Sequence, residues 1–295
     1  MRERIMHVLA AWGIGSVTGL VPYETGGGRI VYRFAEAGGR FILKGYPVSF
    51  EEASITSNAR ALAYLGNQKK MAPALRLLPD GGMMFCDEMY RYMLMKYVEG
   101  RDMEETEADW KLLGTAAAIL HGLTDYPHPS PIDTIEDIRQ MRGMYKKRPW
   151  KTAFDGILDA MPDFAAGRQC FIHSDIGSAN VRINKRGEVV FVDLDDAGMG
   201  SQWMDIGTPI ISQFVKFDKK TKAIDYQTDL AAAYLAGYAS VCPLSAAEYD
   251  LAWHGAAFTH MYNMQWFGDD AADDLWEILQ FGMAQKECVR HRVAW

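Results

Sequence analysis

A change of hydrophobic period near residue 100 limits the folds open to this chain. Upstream, Ser16 to Thr25, Arg29 to Ala35 and Arg40 to Tyr46 are rich in β-branched and aromatic residues, and Gly26-Gly27-Gly28 and Gly38-Gly39 punctuate them. Such runs between turn residues predict three antiparallel strands. A helix is expected over Ser49 to Leu65, where a serine and acids suit an N-terminus and Ile55, Ala59, Leu62 and Leu65 recur at helical spacing. Ala74 to Leu78, Met83 to Cys86 and Arg91 to Val98 read as further strands, and Met1 to Trp12 as an amphipathic first helix. Downstream, Trp110, Leu113, Ala117, Leu120 and Leu123 repeat at the helix period, and helical patterns return over 134–160 and 225–285. Two short apolar runs, Gln169 to His173 and Val189 to Leu194, interrupt them as a hairpin-like element. The expected class is α+β with two lobes: a small β-rich lobe over 1–98 with one packed helix, and a larger α-helical lobe over 99–295. A cleft between such lobes is where a ligand would sit.

Composition narrows the function. With 49% hydrophobic residues in 295, the chain can offset its conformational entropy and is not disordered. A formal charge of -7 lacks the basic excess that a nucleic-acid backbone requires, so the expected partner is a small molecule or a protein. Cys86, Cys170, Cys242 and Cys288 lie far apart with no Cys-x-x-Cys, which predicts reduced, mostly buried thiols rather than a zinc cage. The N-terminal apolar stretch is broken by an acid and a histidine, unlike a signal peptide. Ala231 to Leu244 falls short of the roughly 20 residues that a membrane span needs. The expected location is the cytoplasm, with no membrane contact.

The densest chemistry lies in His173-Ser174-Asp175-Ile176-Gly177-Ser178-Ala179-Asn180, followed by Phe191-Val192-Asp193-Leu194-Asp195-Asp196. Burying several carboxylates without partners costs several kcal/mol each, so a cation or donors must accompany them. A magnesium ion is the economical partner. Hard cations take oxygen ligands, and an Asn and an Asp on adjacent loops leave positions for water and nucleotide phosphates.

His-x-Asp-x-x-x-x-Asn, the downstream strand Asp, and Gln202-Trp203-Met204-Asp205-Ile206 resemble the aminoglycoside phosphotransferase and choline kinase group, which has a two-lobed protein-kinase-like fold. The resemblance runs over roughly residues 5–265. It implies that Asp175 is the catalytic base that orients or deprotonates an acceptor hydroxyl. It implies that Asn180 and Asp193 hold magnesium on a triphosphate, with Asp195 either helping a second metal or taking a capping or solvent-facing role. His173 and Asp205 are expected to brace the loop, and His121, at the end of a helix, to pack. In Phe41-Ile42-Leu43-Lys44, Lys44 resembles the strand lysine that contacts the α- and β-phosphates. Gly27 and Gly28 resemble the flexible turn over the phosphates. The backbone of Lys96 and Val98 resembles the strand that hydrogen-bonds adenine. The implied cofactors are Mg2+ and ATP or GTP, and the implied partners are that nucleotide and a small hydroxyl-bearing acceptor.

Two departures stand out. Where the family places a helix glutamate to pair the strand lysine, this chain has Asn58; either Glu51 or Glu52 substitutes, or Lys44 lacks a full ion pair. Ser174 stands where many relatives have glycine, and a positive φ there would strain the loop. The acceptor stays open. Aromatics over Tyr226 to Trp266 suit either a helical core or a box for a quaternary ammonium. Asp269, Asp270, Asp273, Asp274 and Glu277 suit either a solvated helix face or a polycation such as an aminoglycoside. A non-catalytic, spore-coat-like member and a bacterial Ser/Thr protein kinase are the alternatives to a small-molecule kinase.

Overall fold

The computed structural model describes residues 2–132 and 134–293; Met1, expected to begin the first helix, lies outside them. The chain forms two compact units, one of Met1–Arg101 with Arg182–Ala197, the other of Asp102–Val181 with Gly198–Trp295. The division expected at 98/99 runs along the chain, whereas the units interleave, because residues 182–197 pack with the first.

In the first unit, α1 (Arg2–Ala10) precedes the strands β1 (Thr18–Tyr23), β2 (Ile30–Glu36), β3 (Gly39–Pro47), β4 (Phe85–Cys86) and β5 (Tyr90–Lys96). They form one antiparallel sheet in the order β1-β2-β3-β5-β4. Alternation along β3 sends Phe41 and Leu43 to one face, where Ile5, Val8 and Leu9 of α1 close over them with Trp12, Phe34 and Leu94. Lys44 and Tyr46 point to the opposite face, which they share with α2 (Glu52–Leu62), whose buried residues include Ile55, Asn58 and Leu62. Gly45 between them has no room for a side chain, since a Cβ there would lie 2.8 Å from Ile30 and 3.0 Å from Tyr92.

The helix expected over 49–65 stops as an α-helix at Leu62 and continues as a π-helical turn over Ala63–Gln68. The expected strand over 74–78 is reduced to a single bridge, Leu75 to Met95, because β4 takes the neighbouring edge of β5.

A second sheet of β6 (Gly100–Asp102), β8 (Val181–Asn184) and β9 (Val189–Phe191) lies largely in this unit, in the order β6-β8-β9. This corrects the expected hairpin of 169–173 with 189–194. The run at Gln169 forms β7 (Gln169–Ile172), which pairs with β10 (Gly198–Ser201), and β9 instead closes a tight turn with β8. The side chain of Asn184 holds that turn by accepting the N–H groups of Arg186 and Glu188.

The rest of the second unit is helical: α3 (Glu107–Leu120), α4 (Thr134–Arg142), α5 (Lys151–Asp159), α6 (Gln202–Ser212), α7 (Thr228–Ala239), α8 (Ala246–Met264), α9 (Ala272–Ala284) and α10 (Lys286–Arg292), with a small hairpin of β11 (Val215–Phe217) and β12 (Ile224–Tyr226). Thr106 caps α3 by accepting the Asp109 N–H, and Ser245 with Glu248 forms a capping box on α8. Helices α6 and α8 cross in near backbone contact, since a Cβ on Gly255 would sit 1.9 Å from the Trp203 carbonyl. That contact anchors the helix that carries Asp205. Among the described residues no helix is long and apolar enough to cross a membrane. Cys170 is buried and Cys242 half-buried, but Cys86 and Cys288 are exposed, so the thiols are not mostly buried as composition suggested.

Candidate active site

The loop that runs from His173 to Asn180 is built on a buried carboxylate. Asp205, in the first turn of α6, is fully buried, and its two oxygens accept the backbone N–H groups of His173 and Ser174, each at 2.6 Å. His121 donates from Nε2 to the same carboxylate at 3.1 Å, and its Nδ1 lies 2.9 Å from the Tyr238 hydroxyl. The histidine at the end of α3 therefore does more than pack. Burial, with the Asp205 charge second, pushes the Cys170 thiol up to about 12, so it is a filler rather than a nucleophile.

Held at both amides, the chain turns at Ser174 with φ +72°. The strain anticipated for a serine in place of glycine is thus present, and the Ser174 hydroxyl lies 3.3 Å from that of Ser130. The turn leaves Asp175 exposed, and Asn180 donates its amide to the Asp175 carboxylate at 2.7 Å and to the Asp175 carbonyl at 2.9 Å. His173 is buried and its Nδ1 accepts the Asp175 N–H at 3.4 Å. Asp175 and Asn180 are thus together in the second unit.

In the first unit, Lys44 donates to Asp193 at 2.6 Å and to Asp195 at 2.9 Å. The same Asp195 oxygen accepts from the Tyr46 hydroxyl at 2.6 Å and from the Asn58 amide, and the Arg29 guanidinium pairs with the other oxygen at 3.1 Å. Burial, then the Asp195 charge, raises the Tyr46 phenol far above its ordinary value and keeps it a donor. Neither glutamate expected as a substitute reaches Lys44 in this arrangement: Glu52 pairs with Arg91 at 3.0 Å, and Glu51 sits exposed at the start of α2. Lys44 has its ion pair nonetheless.

Gly27 and Gly28 form the turn between β1 and β2 with φ +65° and +73°, conformations that favour glycine, and Thr25 braces the turn through the Arg29 carbonyl at 2.5 Å. The Lys96 N–H donates to Ala74 at 2.9 Å, and the Val98 carbonyl accepts from Arg182 at 3.2 Å. Those two backbone groups are already satisfied within the fold.

A family model for the phosphotransferase enzyme family (APH) matches residues 21–249. The chain belongs to this family. The resemblance read from the residues is borne out, and the α+β, protein-kinase-like fold is shared with solved structures along nearly the whole chain. An aminoglycoside phosphotransferase from Alicyclobacillus acidocaldarius superposes with a TM-score of 0.59 at 15% identity, over 97% of this chain and 96% of that one. The microcompartment-associated aminopropanol kinase gives 0.68 at 16% identity, over 99% and 98%. The choline kinase LicA from Streptococcus pneumoniae gives 0.62 at 12% identity, over 97% and 99%. In sequence, an uncharacterized protein of Deinococcus radiodurans is 28% identical over 171 residues, 53% of this chain. That match spans about half the relative, 48% of its length.

The two features that bore on the acceptor look different in three dimensions. Of the acidic cluster, Asp273 is paired with Arg148 at 2.9 Å and receives the Trp150 indole N–H at 2.8 Å, while Lys222 pairs with Asp274 at 2.7 Å. The cluster is partly neutralised by its own fold. Of the aromatics, Tyr238 and Trp253 are core residues, whereas Trp266 is 71% exposed and meets Tyr262 edge-on at 6.4 Å. They do not line one box. Sequence reasoning missed the Asp195 cluster because Tyr46, Asn58 and Arg29 look unremarkable singly; only the i, i+2 step from Lys44 to Tyr46 hinted that both share a face.

Proposed function

We propose that this chain transfers the γ-phosphoryl group of ATP or GTP to a hydroxyl of a small molecule, an antibiotic or a metabolite. The observation that carries this reading is the loop on Asp205, which fixes the backbone at 173–174 and leaves Asp175 exposed with the Asn180 amide on its carboxylate. An exposed, oriented carboxylate is what a base acting on an incoming hydroxyl requires. As the acceptor oxygen bonds to the γ-phosphorus, its proton passes to or is held by Asp175, and the bond from the γ-phosphorus to the bridging oxygen breaks to release the nucleoside diphosphate.

Lys44 would sit on the α- and β-phosphates, the Gly27-Gly28 turn would approach the phosphates with backbone alone, and the base would meet 96–98 backbone groups other than the Lys96 N–H and the Val98 carbonyl, which Ala74 and Arg182 already take. The donor chemistry fits magnesium. Asp193 offers a carboxylate that is 50% exposed and Asn180 an amide oxygen, both hard ligands. When bound there, the ion would spread the charge that develops on the transferred group. The names of the related structures, which include aminoglycoside phosphotransferase, aminopropanol kinase and choline kinase, support a small hydroxylated acceptor. The non-catalytic alternative drew its sequence support from the missing helix glutamate, and the pairing of Lys44 with Asp193 and Asp195 favours the catalytic reading by giving the lysine acids from elsewhere.

Calorimetric titration with ATP and with GTP, each with and without magnesium, tests the reading whatever the acceptor is. Magnesium-dependent binding of either nucleotide is expected and leads to a screen of amino alcohols, sugars and aminoglycosides. Absence of binding to both would overturn it.

A further inference from the structure

The acid that pairs the strand lysine has moved. We propose that Asp195 is the positioning residue for Lys44 in this chain, taking over the charge that its relatives are expected to carry on the helix, with Asn58 reduced to holding Asp195 in place. The inference rests on the phosphoryl-transfer reading for its consequence, but its structural half stands on the pairings alone.

Asn58 is buried on α2 and aims its amide nitrogen at the Tyr46 hydroxyl, 2.6 Å away, and at the Asp195 oxygen. An amide has one donating and one accepting end, and only the donating end is compatible with a carboxylate. A glutamate at 58 would bring a second anion to an oxygen that already belongs to Asp195, and like charges in so enclosed a place repel. The neutral residue on the helix and the acid at 195 therefore explain each other: the carboxylate that Asn58 contacts is supplied from the β9 side, as Asp193 is, rather than from α2.

Asp195 is placed for this task and poorly placed for a metal. One of its oxygens takes Lys44, Tyr46 and Asn58 together, and the other faces Arg29. Its side chain is 21% exposed, against 50% for Asp193. Lys44 thus has two acids of different character. Asp193 can turn to a magnesium ion when a nucleotide arrives, while Asp195, locked by Tyr46 and Asn58, keeps the ammonium in position. This assignment replaces the expectation that Asp195 helps a second metal.

The test exchanges the charge. ATP affinity is measured with and without magnesium for the wild type, Asp195→Asn, Asn58→Glu and the double variant Asn58→Glu/Asp195→Asn. Asp195→Asn is expected to weaken magnesium-free ATP binding by about tenfold, as loss of a close charge partner does. The double variant, with its acid returned to the helix, is expected to regain most of that loss. Asn58→Glu alone crowds two acids and is expected to bind poorly or fold poorly; the comparison of Asp195→Asn with the double variant does not depend on it. A double variant no better than Asp195→Asn overturns the proposal. So does a loss in Asp195→Asn that appears only with magnesium present, which is the signature of a metal ligand. Should the wild type bind no nucleotide at all, the phosphoryl-transfer reading fails. The pairing is then read from urea unfolding of Lys44→Met, Asp195→Asn and their combination: additive losses overturn it, and a coupling between the two sites supports it.

Discussion

The backbone N–H of Ser174 meets Asp205 Oδ1 at 2.6 Å while Ser174 itself holds φ +72°. A left-handed conformation costs a residue with a side chain about 1 kcal/mol or more, and the buried carboxylate is what holds it there. Ser174→Gly removes that strain but adds entropy to the unfolded chain, so we expect a stability change within about 1 kcal/mol and unaltered nucleotide binding. Ser174→Val, β-branched and ill suited to positive φ, should lose about 2 kcal/mol or more. Urea unfolding of the two variants checks both.

Asp205→Asn keeps the shape of the carboxylate but turns an NH2 group toward one of two buried backbone donors. Leaving such a donor unpaired in a charge-assisted cluster costs about 3 kcal/mol. The expected result is a large loss of unfolding free energy together with a fall in kcat, because the backbone that presents Asp175 is no longer fixed.

Asp175→Asn and Asp193→Asn should separate chemistry from binding. The first is expected to leave ATP binding near normal while lowering turnover by about a hundredfold or more. The second should weaken the magnesium-dependent part of binding. Equal loss of binding in both would overturn these roles.

Acid should weaken the two units in different windows. Burial holds His260 at about 4, below its ordinary 6.5, while its Nε2 lies 2.9 Å from the Leu275 carbonyl. The unfolded chain therefore binds a proton that the folded one refuses. The stability this residue contributes is complete above pH 6.5 and falls as the pH drops toward 4, by about 3 kcal/mol in all. Burial works to raise Asp87, but the Arg4 guanidinium and the N–H groups of Met89 and Tyr90 overcome it and hold the carboxyl at about 2. Its contribution is present above pH 3.8 and is lost between there and 2. Urea titrations at pH 7, 5 and 3 should lose the upper slope in His260→Gln and the lower one in Asp87→Asn.

Local pattern was enough to read much of this molecule. Period-two alternation put Lys44 on a sheet face, helical spacing located α2 and α3, and the His-x-Asp-x-x-x-x-Asn run marked the loop on Asp205. Partnership across long separations was not legible. Nothing near Gln169 says that its strand pairs with Gly198–Ser201 rather than with 189–191, because short apolar runs carry no label for their neighbour. The same holds for Asn58 and Asp195, which are 137 residues apart. Read as a departure from an expected glutamate, Asn58 suggested a lysine with an incomplete partner. Its meaning depends on a carboxylate that only the folded chain delivers.

The chain passes from one unit to the other after Arg101, after Val181 and after Ala197. A gene recombined with that of a relative at the first of these points would therefore inherit Lys44 and Asn58 from one parent and Asp193 and Asp195 from the other. The heritable block is discontinuous, 1–101 with 182–197, and chimeras that carry both pieces together should keep their charge balance where single-crossover ones lose it.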